Sequence, residues 1–172
     1  VLLDGDQFGR RLTGYERTAW RFETQPTYTM SREQENLARW RAGEPPPQGY
    51  NSAWHDRVRE LVSAGKSIGR VRTVRYPLTE YQRYQCDWSI PGNIAAGEDI
   101  RILDLTNIEL DLPAHDFWLF DDQLIVDLNF NPDGTLLNVD QRENPDLLMY
   151  RKWRDAALAH AVPYSEWNAR TR

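Results

Sequence analysis

Residues 116–122, Asp-Phe-Trp-Leu-Phe-Asp-Asp, place three carboxylates around an aromatic run directly after His115. Carboxylates can hold a hard cation, or move protons when their neighbours shift their pKa. Glu98 and Asp99 form a second acidic pair, and together with Asp116 and Asp121 they are the residues that would ligate Mg²⁺. Such a set is unspecific, because many acidic surfaces offer four carboxylates. The plainer expectation is that Asp121 and Asp122 sit where a hairpin turns, since aspartate bonds its own backbone at turns.

The opposite charge gathers in residues 69–75, Gly-Arg-Val-Arg-Thr-Val-Arg. Strand side chains alternate, so Arg70 and Arg72 share one face and Arg75 the other. These arginines could clamp a phosphate or an acidic protein, guard an edge strand, or pair internally with the acids of residues 95–101, Ala-Ala-Gly-Glu-Asp-Ile-Arg. Edge protection or internal pairing is the favoured expectation. No other chemistry is signalled, so no catalytic residue, metal site or cofactor is expected. The histidines His55, His115 and His160 fall in a helix, a loop and a helix, and no His-Glu-x-x-His or paired-cysteine motif occurs. Glycine-rich phosphate loops and a nucleophile elbow are also absent. Cys86 reads as a buried, inert thiol beside Tyr84 and Trp88. Tyr81, Tyr84, Trp88 and Trp118 could line a pocket for a planar metabolite, although aromatics at these spacings belong more often to a core.

The elements that must position these groups follow from local pattern. Asp4 or Asp6 caps a helix bearing Phe8, Leu12 and Tyr15. Residues 19–24 alternate as a short strand. Ser31 and Gln34 form a capping box for a helix with Leu37 and Trp40 inward, stopped at Gly43. Residues 43–51, with three prolines, are an internal linker. Ser52 caps a third helix with Trp54, Val58, Leu61 and Val62 inward, and residues 67–76 are a strand. Thr79 caps a fourth helix that the Ile-Pro-Gly-Asn of residues 90–93 halts. Residues 99–105 read as a strand. The runs 116–120, 124–130 and 135–140, joined by Asp-rich and Asn-Pro-Asp-Gly turns, predict a meander of three antiparallel strands. Asn144 with Pro145 opens a last helix carrying Met149, Tyr150, Trp153 and Ala157 on its inner face. The expected fold is therefore one α+β domain over residues 1–172: a mainly antiparallel sheet with a three-strand C-terminal meander, covered by helices.

Composition narrows the function classes. The 172 residues are 40% hydrophobic and 12% aromatic, which suits a packed core rather than a disordered chain. No apolar run approaches the roughly 18 residues of a membrane span, and the first residues lack a signal-peptide pattern. A single cysteine fits a reducing compartment, so a cytoplasmic protein is expected. Charge is segregated: residues 1–97 carry a net +3, residues 98–146 carry −11 and residues 147–172 carry +3. That field disfavours direct nucleic-acid binding. Of the 21 basic residues only Lys66 and Lys152 are lysines, a bias that suits bidentate anion recognition but that a GC-rich genome produces without any function, which is the favoured expectation.

The blocks at residues 2–9, 16–24, 74–85, 93–103, 115–122 and 150–163 together resemble the uncharacterised actinobacterial domain-of-unknown-function family 6879. The likeness runs from Leu2 to about Trp167. It implies a setting beside helix-turn-helix regulators of the Xre type and small partner proteins. Its marks fall on Gly97, Glu98, Asp99, Arg101, Asp116, Trp118, Asp121 and Asp122. The resulting expectation is a protein-interaction module, accessory to a transcription regulator, that docks another protein through an acidic and aromatic face. Buried aromatics anchor interfaces and charge sets their register and on-rate. The alternatives are an enzyme with Glu98, Asp99 and Asp116 around Mg²⁺ and Arg70 or Arg72 on a phosphate, or a metabolite sensor. Oligomeric state is not legible in the sequence.

Overall fold

Trp20 and Phe22 alternate with Arg21 and Glu23, so the first strand carries one apolar and one charged face. The computed structural model, which describes residues 1–171, puts this strand in the middle of a seven-stranded sheet. The strands are β1 (Thr18–Glu23), β2 (Ser67–Val74), β3 (Asp99–Asp104), β4 (Asp116–Phe120), β5 (Leu124–Phe130), β6 (Leu136–Gln141) and β7 (Val162–Pro163). The helices are α1 (Gly5–Gly14), α2 (Gln34–Arg41), α3 (Ser52–Ser63), α4 (Glu80–Tyr84), α5 (Ile90–Ala96), α6 (Leu147–His160) and α7 (Tyr164–Thr171).

The fold is α+β, but the mainly antiparallel sheet with a separate C-terminal meander is not what forms. The strand order is β6-β5-β4-β1-β2-β3-β7, and β1, β2 and β3 run parallel. Parallel neighbours need a crossover as long as the strand itself, and α2–α3 and then α4–α5 supply it. The strand–helix–strand–helix–strand alternation over residues 18–104 carried that signal. The antiparallel strands β4, β5 and β6 continue the same sheet from β1. They do not close the chain either, because α6 leads on to β7, which pairs antiparallel with β3 at the opposite edge.

One sheet face packs Ala19, Ile68, Trp118, Phe120 and Val126 against Val58 and Leu61 of α3, with Phe8 and Leu12 of α1 alongside. The other face packs Phe22, Val71, Leu103, Phe117 and Ile125 against Tyr150 and Ala157 of α6. Trp153 of α6 is packed there too, whereas Met149, expected inward, is 38% exposed.

Several expected boundaries move. Residues 31–33 form a 3₁₀ turn ahead of α2, so the Ser31–Gln34 box is not made, and the Gln34 amide instead donates to the Met30 carbonyl. Ser52 is the first residue of α3 rather than its cap, because Asn51 turns the chain in a left-handed conformation (φ 55°). Val62 of that helix is exposed. Residues 90–93 do not halt the fourth helix. It widens into a π-helical turn over Gln85–Ser89 and continues as α5, with Pro91 in the first turn where a missing N–H is tolerated. Gly97, at φ 117°, ends it. Asn144 is left-handed (φ 50°), and Asp146 caps α6 by accepting from the Met149 amide at 3.1 Å.

Candidate functional site

Arg21 and Glu23 on β1 stand in register with Arg70 and Arg72 on the parallel β2, and Trp118 lies opposite Arg21 on β4. The alternation puts all of these, with Asp116, on one sheet face. Glu98 enters from the turn that ends α5. Three guanidinium groups and three carboxylates thus meet beneath the helices.

The Arg70 guanidinium bridges two acids, with Nη1 2.7 Å from Glu23 Oε1 and Nε 2.6 Å from Glu98 Oε1. Glu98 also accepts from Trp54 Nε1 at 3.0 Å. Arg21 lies 3.3 Å from Glu23 and 3.2 Å from Asp116. Asp116 is completely buried and accepts from the Thr24 amide and hydroxyl at 2.8 Å each and from the Tyr28 hydroxyl at 2.6 Å. Arg72 Nε donates to Gln85 Oε1 at 3.1 Å, at the start of the π-helical turn, and lies 3.8 Å from Glu23. Its two terminal nitrogens make no hydrogen bond among the described residues, and its guanidinium carbon sits 5.1 Å from the centre of the Tyr28 ring. The ring's negative face partly replaces the missing acceptors.

Burial alone would raise the Glu23 pKa, but Arg70, Arg21 and Arg72 outweigh it and hold the carboxyl at about 2. Burial would likewise lower Arg21 and Arg70, yet the facing acids keep both above the ordinary arginine range. Burying six ions carries a desolvation penalty that pairing at best offsets. Compared with an apolar core such a network adds little, but once it is built the loss of one member leaves a buried charge unpaired. A slip of one residue would turn Arg21 and Glu23 into the apolar layer beneath α6.

The residues singled out in the sequence separate into different places. Arg70, Arg72, Glu98 and Asp116 belong to the buried network, and Arg70 pairs with the acid of residues 95–101. Because β2 lies between β1 and β3, its arginines do not guard an edge. Trp118 is buried in the core between Arg21 and Phe120. Asp99 and Arg101 pair with each other at the surface, at 3.2 Å. Asp121 and Asp122 are the two left-handed residues of the β4–β5 hairpin (φ 51° and 57°). The Asp121 carboxylate accepts from the Glu16, Arg17 and Thr18 amides at 2.7, 2.7 and 2.9 Å, and these bonds hold its pKa below the usual range despite partial burial. Asp122 stays half exposed beside Arg154.

Glu98, Asp99, Asp116 and Asp121 thus do not converge on one point, and among the described residues no three His, Cys, Asp or Glu side chains are grouped to hold a metal ion. Arg21, Glu23, Tyr28, Trp54 and Gln85 were not foreseen. The one available signal was the charged alternation in β1, which matches that of β2.

Residues 6–169 match the family described as a domain of unknown function, DUF6879. The chain belongs to this family. The match spans every strand of the sheet and the whole network. A search of the curated proteins finds none that matches.

Among the concavities formed by the described residues of this DUF6879 chain, two bear on function. One, of about 420 Å³, is a groove between α2, the proline-rich loop and the π-helical turn, lined by Trp40, Gly43, Glu44, Pro46, Asp87 and Trp88. Trp40 Nε1 donates to Asp87 Oδ2 at 2.9 Å, and Glu44 takes the Arg39 guanidinium at 2.7 Å. The other, of about 310 Å³, lies between the end of α1 and the β4–β5 hairpin. On the α6 face, His115 Nε2 lies 3.4 Å from Asp127 Oδ1, and Asp127 also accepts from the Tyr150 hydroxyl. No described helix is long and apolar enough to cross a membrane.

Proposed function

We propose that this chain is an intracellular protein-interaction module, accessory to a transcription-regulator system, and that it receives a cationic segment of its partner in the Trp40–Trp88 groove. The observation that carries the reading is the division of labour among the charges. Glu98 and Asp116, the carboxylates best suited to chemistry, are buried against arginines. The groove outside combines two indoles with two acids, a setting that attracts guanidinium or ammonium groups. The exposed Arg39–Glu44 pair is worth little, so an incoming arginine can exchange with it. Regulators of the helix-turn-helix type carry basic surfaces for DNA, which makes them chemically suitable partners. The cytoplasmic setting and the regulator rest on the family resemblance and on the single cysteine.

The test is affinity capture from native lysate with wild type and with Glu44→Lys, followed by measurement of the purified pair by fluorescence anisotropy. A defined partner bound through a basic segment, with affinity reduced about tenfold or more by the charge reversal, supports the reading. Binding indifferent to Glu44→Lys and to Trp40→Ala refutes it. Thermal unfolding of each variant separates lost docking from lost fold.

A further inference from the structure

The cleft beside α1 has a chemistry different from that of the groove. Arg10 and Arg11 reach it from α1 and Arg17 from the segment leading into β1, while Tyr15, Phe120 and Leu124 make an apolar floor. Arg11 is anchored by its Nε to Gln141 at 2.8 Å, which leaves its terminal nitrogens outside that bond. Arg10 and Arg17 are exposed, and Arg17 lies near enough to Asp121 to help hold that carboxyl's pKa below the usual range.

A helix C-terminus normally repels anions. Here Lys66 donates to the Thr13 and Tyr15 carbonyls and offsets that end of α1. Asp121, also at the cleft, already has its carboxylate engaged by three backbone amides. Glu16 is the one other acid in the wall. The chain is acidic overall, with a net charge of −5, so a concentration of three guanidinium groups at one concavity is a local departure.

We infer that this cleft binds a phosphate monoester with a small apolar body. A dianionic group with three acceptor oxygens uses the N–H forks of several arginines, more than a carboxylate can engage. The Gln123 amide on the hairpin side adds a neutral donor. The Phe120 and Leu124 floor takes the organic part, and the volume is at the lower end of that for small-ligand sites. The site is separate from the groove and does not depend on the docking reading.

The probes are phenyl phosphate, inorganic phosphate and a short DNA duplex, each titrated into the full chain while amide resonances are followed by NMR. Phenyl phosphate should shift Gly14, Glu16, Arg17 and Gln123 saturably, with Kd on the order of 1 mM. Inorganic phosphate should bind the same residues more weakly. Arg10→Ala/Arg17→Ala should weaken phenyl phosphate at least about tenfold. Gly14→Glu is the second variant, because a Cβ at Gly14 meets nothing within 4 Å beyond its own stretch of helix, and the residue lines the cleft, so the new side chain starts in open space beside it. It should abolish binding while leaving all three arginines in place.

Shifts scattered over the surface, or unchanged in both variants, would overturn the inference. So would equal affinity for the two phosphates, since the apolar floor would then play no part. A duplex that displaces phenyl phosphate with a steep salt dependence would make this a nucleic-acid surface and refute the small-ligand assignment.

Discussion

Replacing Glu23 by Gln tests the buried network at its centre. The carboxylate faces all three arginines, at 2.7, 3.3 and 3.8 Å. The amide keeps the shape but leaves three guanidinium groups against two acids. Removing one member of a buried ionic set costs about 3–5 kcal/mol, a large fraction of the roughly 5–15 kcal/mol that holds a domain folded. A second figure comes from protonation. The folded pKa of about 2 lies below the ordinary 4.5, and that difference corresponds to about 3 kcal/mol of stability. Because the folded value is depressed, this contribution is fully present above pH 4.5 and is lost as pH falls towards 2. Glu23→Gln has no such group to titrate. Urea unfolding of wild type and variant between pH 2.5 and 7 should show a gap of about 3 kcal/mol at pH 7 that narrows steadily below pH 4.5. Two parallel pH curves, or a variant as stable as wild type at neutral pH, would falsify the claim that Glu23 balances the arginines.

Three further outcomes follow from individual contacts. Asp121→Ala should cost about 1–2 kcal/mol, because three backbone amides lose their acceptor, whereas Asp122→Ala should change stability by less than about 1 kcal/mol; chemical denaturation of the two variants distinguishes them. Gly134→Ala should destabilise by at least about 2 kcal/mol, since Gly134 has φ +84° and a Cβ would stand 2.5 Å from the Thr27 carbonyl oxygen. An unchanged melting temperature would contradict that contact. The Cys86 thiol is buried and should react with an aromatic disulfide reagent only as fast as the chain opens, with the rate rising sharply in denaturant.

Much of the local structure was legible because it rests on near neighbours. Asp4 accepts from the Gln7 amide and Gln7 answers in kind, at 2.7 and 2.8 Å, and Thr79 with Gln82 repeats the device. Alternation revealed β1, β-rich composition β2, and the turn residues between them β4 to β6, whose first strand is buried throughout. The sheet's parallel centre was not drawn from the same letters, although the intervening helices require it. Pro91 misled because a π-helical turn resets the backbone just before it, and no short pattern announces such a turn. The site was legible as residue types but not as a place. Asp116 lies 95 residues from Arg21, and only the order β4-β1-β2 brings both to Arg70. The aromatic-acidic run was visible in the sequence, but its Trp118 and Asp116 face inward, and the indole and carboxylate that meet at the surface are those of Trp40 and Asp87.

Folding also redistributes the charge that the linear sequence segregates. Arg21, Arg70 and Arg72 come from the basic first part, and Glu98 and Asp116 from the acidic middle; with Glu23 they form a buried set of zero net charge. Outside it, residues 1–97 keep eleven basic against ten acidic groups, and residues 98–146 keep two against eleven. The surface is therefore still acidic, and at physiological salt its field reaches about 8 Å. A net charge of that sign disfavours the approach of a long polyanion. A single phosphate in the α1 cleft lies within reach of three guanidinium groups and of two acids, one of them already bound to backbone amides. A net negative charge of this kind is compatible with the small phosphorylated ligand inferred for the cleft, and the displacement assay with a DNA duplex decides between the two.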